Sequence, residues 1–258
     1  SYLLGVAGPA ECVEADASAP TRVHLVARGG SGEPRHLVVD TPPWFSIHHS
    51  HAEEAPEADG STTVTLYSAG WTGEGLGQNG GRFLAAWAGY APDFDTIPPT
   101  FYWRTRIRVA PGGSSAELLE HGVCPGAEGT CMDHPHVHPG EEGGPGARYA
   151  YMTYSNGEGL STPSIGWMRL DLRSGEKEVW STPKQGGCFA QEPVVVPKAE
   201  GEGAWVLAVL NDHRRDASCL CVLDGDDFAR GPVCRLWLPV RLPHALHSSF
   251  AMAPAPRP

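Results

Sequence analysis

Apolar positions in this chain come in short runs, and in several runs they alternate with polar ones. The stretch WRTRIRV, residues 103–109, sets Trp103, Thr105, Ile107 and Val109 on one side and Arg104, Arg106 and Arg108 on the other. Period two of this kind marks a strand with one buried face. Similar runs recur as TRVHLVAR, HLVVD, TVTLYSAG, RYAYMTY, GWMRLDL, EVWSTP, EPVVVPK, AWVLAVLND, CLCVLDG and CRLWLPV, rich in β-branched and aromatic residues. Turn-forming stretches such as SGE, NGEG and DGDD separate them. Only GRFLAAWAGY (81–90) and SAELLEH (115–121) read as short helical pieces. The expected fold is therefore all-β: a barrel, a sandwich or a propeller. In the second half, GWMRLDLRSGEKEVWSTP reads as strand, turn, strand, and the stretch from AWVLAVLND to CRLWLPV as a three-stranded meander. Together they fit a propeller blade, a four-stranded meander of roughly 40–50 residues. The body is expected over residues 1–250, with 251–258, ending in MAPAPRP, as a disordered tail.

Composition narrows the function classes. A chain of 258 residues suffices for one large all-β domain or two small ones. Its 32 Gly and 24 Pro are spread between apolar runs, as turn punctuation. Net charge is -11 and no stripe of Lys and Arg exists, so nucleic acid is not an expected partner. No apolar run reaches the roughly 18 residues of a spanning helix, and no signal-peptide pattern opens the chain. The seven cysteines are odd in number, which favours free thiols and an intracellular reducing compartment such as cytoplasm or plastid. Cys219 and Cys221 alternate on one strand and read as small core residues.

The histidines carry the candidate chemistry. WFSIHHSHAEE (44–54) holds His48, His49 and His51 after an apolar approach. A cupin pattern is one reading, although Glu54 follows His51 one residue too soon and no second cupin box is present. A solvated turn is another, opposed by the Pro-Pro turn and aromatic residues that lead into the stretch. In CMDHPHVHPG (131–140) an unbroken strand would put His134, His136 and His138 on one face and Asp133 on the other, a face able to bind zinc or copper. LPVRLPHALHSSF (238–250) places His244 and His247 in a Pro-punctuated segment.

In this order the stretches resemble the carotenoid cleavage oxygenase family. Its members are seven-bladed β-propellers with a ferrous iron on the axis held by four histidines. WFSIHHSHAEE is similar to the family's Phe-x-Phe-His-(His)-x-Asn-Ala-aromatic-Glu strand, which makes His48 an implied iron ligand. CRLWLPVRLPHALHSSF is similar to the closing segment, which makes His247 another. Asp133 takes the place of an acidic residue two before a proline, and Glu192, in GGCFAQEPVVVPK, that of the glutamate in Gly-x-x-x-x-Glu-Pro. Such carboxylates orient ligand histidines, and losing one costs roughly 10–100-fold in metal affinity or activity.

The resemblance runs from about residue 1 to 250 and implies Fe(II), O₂, a carotenoid or apocarotenoid substrate cleaved at a double bond to carbonyl products, and peripheral membrane contact. It also has departures. The family's other two ligands fall upstream of SYLLGVAGPAECV, so the chain reads as the C-terminal half of a propeller. His24 and His36 sit at ordinary strand positions and are no substitutes. His51 stands where the family has asparagine, PHALHSS lacks the usual glycines, and GEGAW replaces an acidic turn. Two rival functions remain: an incomplete propeller remnant acting as a binding module, and a small cupin-like metal protein using residues 134–138. In the second, replacing His136 and His138 abolishes metal binding; under the oxygenase reading it has little effect.

Overall fold

The computed structural model describes residues 2–6, 8–28, 36–77, 81, 84, 93–199 and 203–251. The expected all-β architecture is present. Strands β1 (Thr21–Val26) and β2 (His36–Thr41) pair as an antiparallel hairpin. Next, β3 (Trp44–Pro56), β4 (Thr62–Thr72), β5 (Phe101–Val109) and β6 (Ala116–Val123) form a four-stranded antiparallel meander. A second meander joins β7 (Cys131–Val137), β8 (Tyr149–Asn156), β9 (Gly166–Asp171) and β10 (Lys177–Ser181). In the third sheet β11 (Cys188–Ala190) and β12 (Val194–Pro197) both pair with β13 (Ala204–Asp212), followed by β14 (Ala217–Asp224) and β15 (Pro232–Trp237). β11 and β12 thus act as one edge strand interrupted at residues 191–193. Pro193 has no N–H to donate to a ladder, which explains the break.

The alternation read from the sequence is obeyed where two sheets share a core. In β5, Tyr102, Trp103, Thr105 and Ile107 are buried, while Arg104, Arg106 and Arg108 are less so. Every residue of β9 is buried, because the middle sheet is covered on both faces. Met168 and Leu170 pack with Ala150, Met152, Tyr67, Ala69 and Tyr102 on one side. Trp167 and Tyr151 pack with Val206, Leu210, Cys219, Cys221 and Phe228 on the other. Cys219 and Cys221 are fully buried, as expected of core residues, with Sγ atoms 3.8 Å apart.

One helical expectation fails. Residues 115–121 are not helical; nearly all of them lie in β6. Glu, Leu, Leu, Glu is a good helix former in isolation, but here Glu117 lies opposite Arg108 and Glu120 opposite Arg106. Glu120 also takes Arg104 Nη2 at 2.7 Å. The acidic side chains complement the arginine row of β5, and cross-strand pairing overrides propensity. Of GRFLAAWAGY only residues 81 and 84 are described, and the tail 252–258 also lies outside the described residues.

The first strand of each large sheet positions the site. β3 packs against β7, and β7 against β12. All three of these edge strands are irregular. The β3 register shifts between Ser46 and His48 and again between His49 and His51. The β7 register shifts between Asp133 and His136. Gly70, opposite Ser46, permits the first shift: a Cβ there would run into the Phe45 carbonyl.

Candidate metal centre

The β3 bulge leaves Ile47 unpaired and turns His48 towards β7. His48 Nδ1 meets Asp133 Oδ1 at 2.8 Å. Burial works to lower the His48 pKa, but the Asp133 hydrogen bond and charge outweigh it and leave it raised. With Nδ1 donating to the carboxylate, the Nε2 lone pair is free for a metal.

Glu192 comes from the break between β11 and β12 and is 4% exposed. Its Oε1 lies 3.2 Å from His247 Nδ1 and 2.9 Å from His136 Nε2, and its Oε2 accepts from the Ser248 N–H. Burial tends to raise the Glu192 pKa, yet these bonds prevail and hold it at about 2. The segment after β15 brings His247 here. Leu238 N–H donates to the Ser218 carbonyl and Leu242 N–H to Ser218 Oγ at 2.9 Å each, and Gln191 Nε2 donates to the Pro243 carbonyl at 3.2 Å.

The four residues singled out in the sequence therefore form two carboxylate–histidine pairs, and the histidines of both pairs face each other. Ring centroids of His48 and His247 are 5.1 Å apart, edge to face. Between them sits a residue the sequence reading grouped otherwise. His134 does not share a face with His136 and His138; its φ is 51° and the β7 ladder skips it and Pro135. Its ring lies 4.6 Å from His48 and 5.9 Å from His247, centroid to centroid. One ring nitrogen each of His48, His134 and His247 lies within 4.8 Å of the others. Burial lowers the His134 pKa, which keeps it neutral near pH 7. The available signal was Pro135, which has no N–H to donate and so marks a break in the strand ladder, though not the positive φ before it.

The 134–138 cluster is thus no metal site by itself. His136 goes to Glu192, and the His138 Nδ1 accepts from Gly140 N–H at 3.1 Å. His24 and His36 bond each other on the hairpin surface, Nδ1 to Nε2, at 2.8 Å. His49 is held by Ser68 Oγ at 2.8 Å, and His51 is buried on Tyr67.

A cavity of about 450 Å³ opens over the three histidines, with Ile47 and Pro135 as its apolar wall. A smaller cavity of about 270 Å³ between Asp59, Arg108 and Glu117 is lined by surface ion-pair partners and lies apart from the histidines. Three imidazoles with carboxylates behind two of them suit a divalent first-row transition ion. The buried His134 nitrogens, which have no hydrogen-bond partner, fit such an ion as well.

Fold and site together define an all-β protein with a histidine centre fed by several sheets. The family profile described as retinal pigment epithelial membrane protein matches residues 2–252, and the chain belongs to that family, the carotenoid cleavage oxygenases. It is 28% identical over 253 residues to the apocarotenoid-15,15'-oxygenase of Synechocystis, covering 97% of this chain and 46% of that protein. The crystal structure of cobalt-substituted Synechocystis ACO superposes with a TM-score of 0.75 at 26% identity, over 98% of this chain and 48% of that one. A shorter match, 44% identical over 66 residues, links it to resveratrol cleavage oxygenase 1 of Aspergillus fumigatus, covering 24% of this chain and 13% of that protein. The chain spans about half the length of the relatives it matches end to end.

Proposed function

We propose that the protein carrying this chain is a non-haem Fe(II) dioxygenase that cleaves a double bond of a carotenoid or apocarotenoid with O₂ into two carbonyl products. The three large sheets would then be blades of a seven-bladed propeller with the histidines on its axis. The observation that carries the reading is the meeting of His48 and His247, 199 residues apart, in one cavity, each backed by a carboxylate.

His48 and His247 would hold the iron through Nε2. When bound, ferrous iron supplies open coordination positions and the one-electron chemistry that O₂ needs to react with an alkene. Asp133 and Glu192 keep each Nδ1 protonated and each ring fixed, so that little reorganisation is needed on loading. Ile47 and Pro135 offer an apolar wall against which a polyene can lie. Both oxygen atoms of O₂ end in the products and no proton is transferred overall, so no side chain is required as a general base. Such substrates dissolve in lipid, and peripheral membrane contact in a reducing intracellular compartment belongs to the same reading. The resveratrol-cleaving relative favours one variant of it, in which an aryl alkene replaces the polyene.

The test is native protein assayed for iron by elemental analysis and incubated with an apocarotenal, or with resveratrol, under ¹⁸O₂. About one iron per protein and label in both carbonyl products are expected, with iron and activity both lost on His48→Ala. Retention of full iron and cleavage by His48→Ala would overturn the proposal. Iron-free, inactive native protein would favour the binding-module alternative.

A further inference from the structure

His134 has a conformation and surroundings that no packing role accounts for. Among the described residues only His134 and Asp216 are non-glycine with positive φ, a region that β-strand residues avoid because Cβ crowds the backbone. Pro135 follows, and the β7 ladder resumes only at His136. The strain is locked in place by Asp133: its Oδ1 accepts both the His134 N–H at 2.8 Å and His48 Nδ1 at 2.8 Å. One carboxylate oxygen thus fixes the His48 ring and the backbone that presents His134 beside it. Strained backbone held by surrounding bonds is characteristic of functional positions.

The ring itself is unfinished. Both His134 nitrogens are shielded from solvent and have no hydrogen-bond partner, a state that buried polar groups rarely tolerate. Glu192 and Asp133 are already engaged with the outer nitrogens of His247 and His48. Negative charge therefore sits behind the cluster, while lone pairs, uncompensated by any donor, gather in front. A cation placed among the three rings resolves both features at once.

We propose that His134 is a metal-ligating side chain of this centre, joining His48 and His247 in a three-imidazole face for a divalent first-row transition ion. The inference rests on the metal-centre reading above and extends it. The family resemblance gives the residue between Asp133 and Pro135 no role. His134 need only move by the small amount that separates nitrogens lying within 4.8 Å of one another from those around a shared ion.

The test is anaerobic titration of metal-stripped protein with Co(II), read by visible absorption, and with Fe(II), read by competition against a chelator. His134→Phe keeps ring volume and removes both nitrogens. His134→Gly removes the ring and relieves the positive φ. Both are expected to lose at least tenfold in affinity and to change the Co(II) band. The glycine variant should melt, without metal, no lower than the parent, which separates lost ligation from misfolding. His138→Ala should bind as the parent does. Unchanged affinity and band in both His134 variants, with binding still lost in His48→Ala and His247→Ala, would overturn this inference and leave the metal centre standing. Unchanged binding in all four would overturn both.

Discussion

The two carboxylate–histidine pairs reach the same cavity by different constructions. Asp133 and His48 sit on two packed strands, with side chains 24% and 15% exposed. Glu192 is deeper, at 5%, but its partner His247 is 58% exposed and lies on a segment without regular structure. Asp133 serves one histidine ring and one backbone N–H; Glu192 serves two histidine rings and one. Where strands supply rigidity, the carboxylate orients one ring and fixes the backbone of its own neighbour. Where they do not, the carboxylate must anchor the distant segment that bears its histidine.

The contrast predicts that Glu192→Gln is the more damaging change. It should weaken metal binding by roughly 100-fold, the upper end for such partners, and loosen the His247 segment, visible as faster amide exchange at residues 244–248. It also has a signature in acid. The Glu192 pKa is held near 2 against an ordinary 4.5, so its contribution to stability is complete above pH 4.5 and disappears as pH falls through about 2. Urea melts should show the parent ahead by about 1–3 kcal/mol at pH 6, with the gap closing towards pH 2.

Asp133→Asn should cost less, roughly tenfold in metal affinity, because β3 and β7 still hold His48 in place. Its mark is on titration. Asp133 raises the His48 pKa, so NMR of the metal-free variant should show His48 titrating at lower pH than in the parent. A larger loss than for Glu192→Gln would break the comparison.

His136→Ala removes one of the three bonds that anchor Glu192 and should weaken metal binding by less than about fivefold, under 1 kcal/mol. The sequence-level expectation of little effect at this position thus acquires a cause. An effect as large as that of His134→Phe would mean that His136 leaves Glu192 and ligates the metal itself.

The same contrast bears on what the sequence reveals. His48, Asp133, Glu192 and His247 were legible through the family resemblance, each carried by a short motif: the strand WFSIHHSHAEE, the acidic residue two before a proline, Glu-Pro, and the Pro-rich close. β9 was legible as an apolar run closed by a turn, and β5 because it obeys period two. His134 was misplaced by the same rule, since strict alternation is what a bulge violates, and nothing in a lone sequence marks positive φ at a histidine. SAELLEH was misread for a different reason. Its strand state is set by arginines on β5 that lie beyond the intervening turn in sequence and across the ladder in space. The break between β11 and β12 had a local cause in Pro193, but its use, freeing Glu192 to face three donors, depends on residues 136, 247 and 248.

The crossing segment that bears His247 also sets a timetable. A ribosome makes His48, Asp133 and His134 long before it reaches His247. Under the proposed metal reading, the three imidazoles are all available only after the three large sheets have been synthesised. A nick between Leu238 and Pro243 is expected to release the ion while leaving the far-ultraviolet spectrum nearly unchanged. The strap then works as a clasp fastened last, and a chain stalled or clipped short of it would be a folded but unlit lamp.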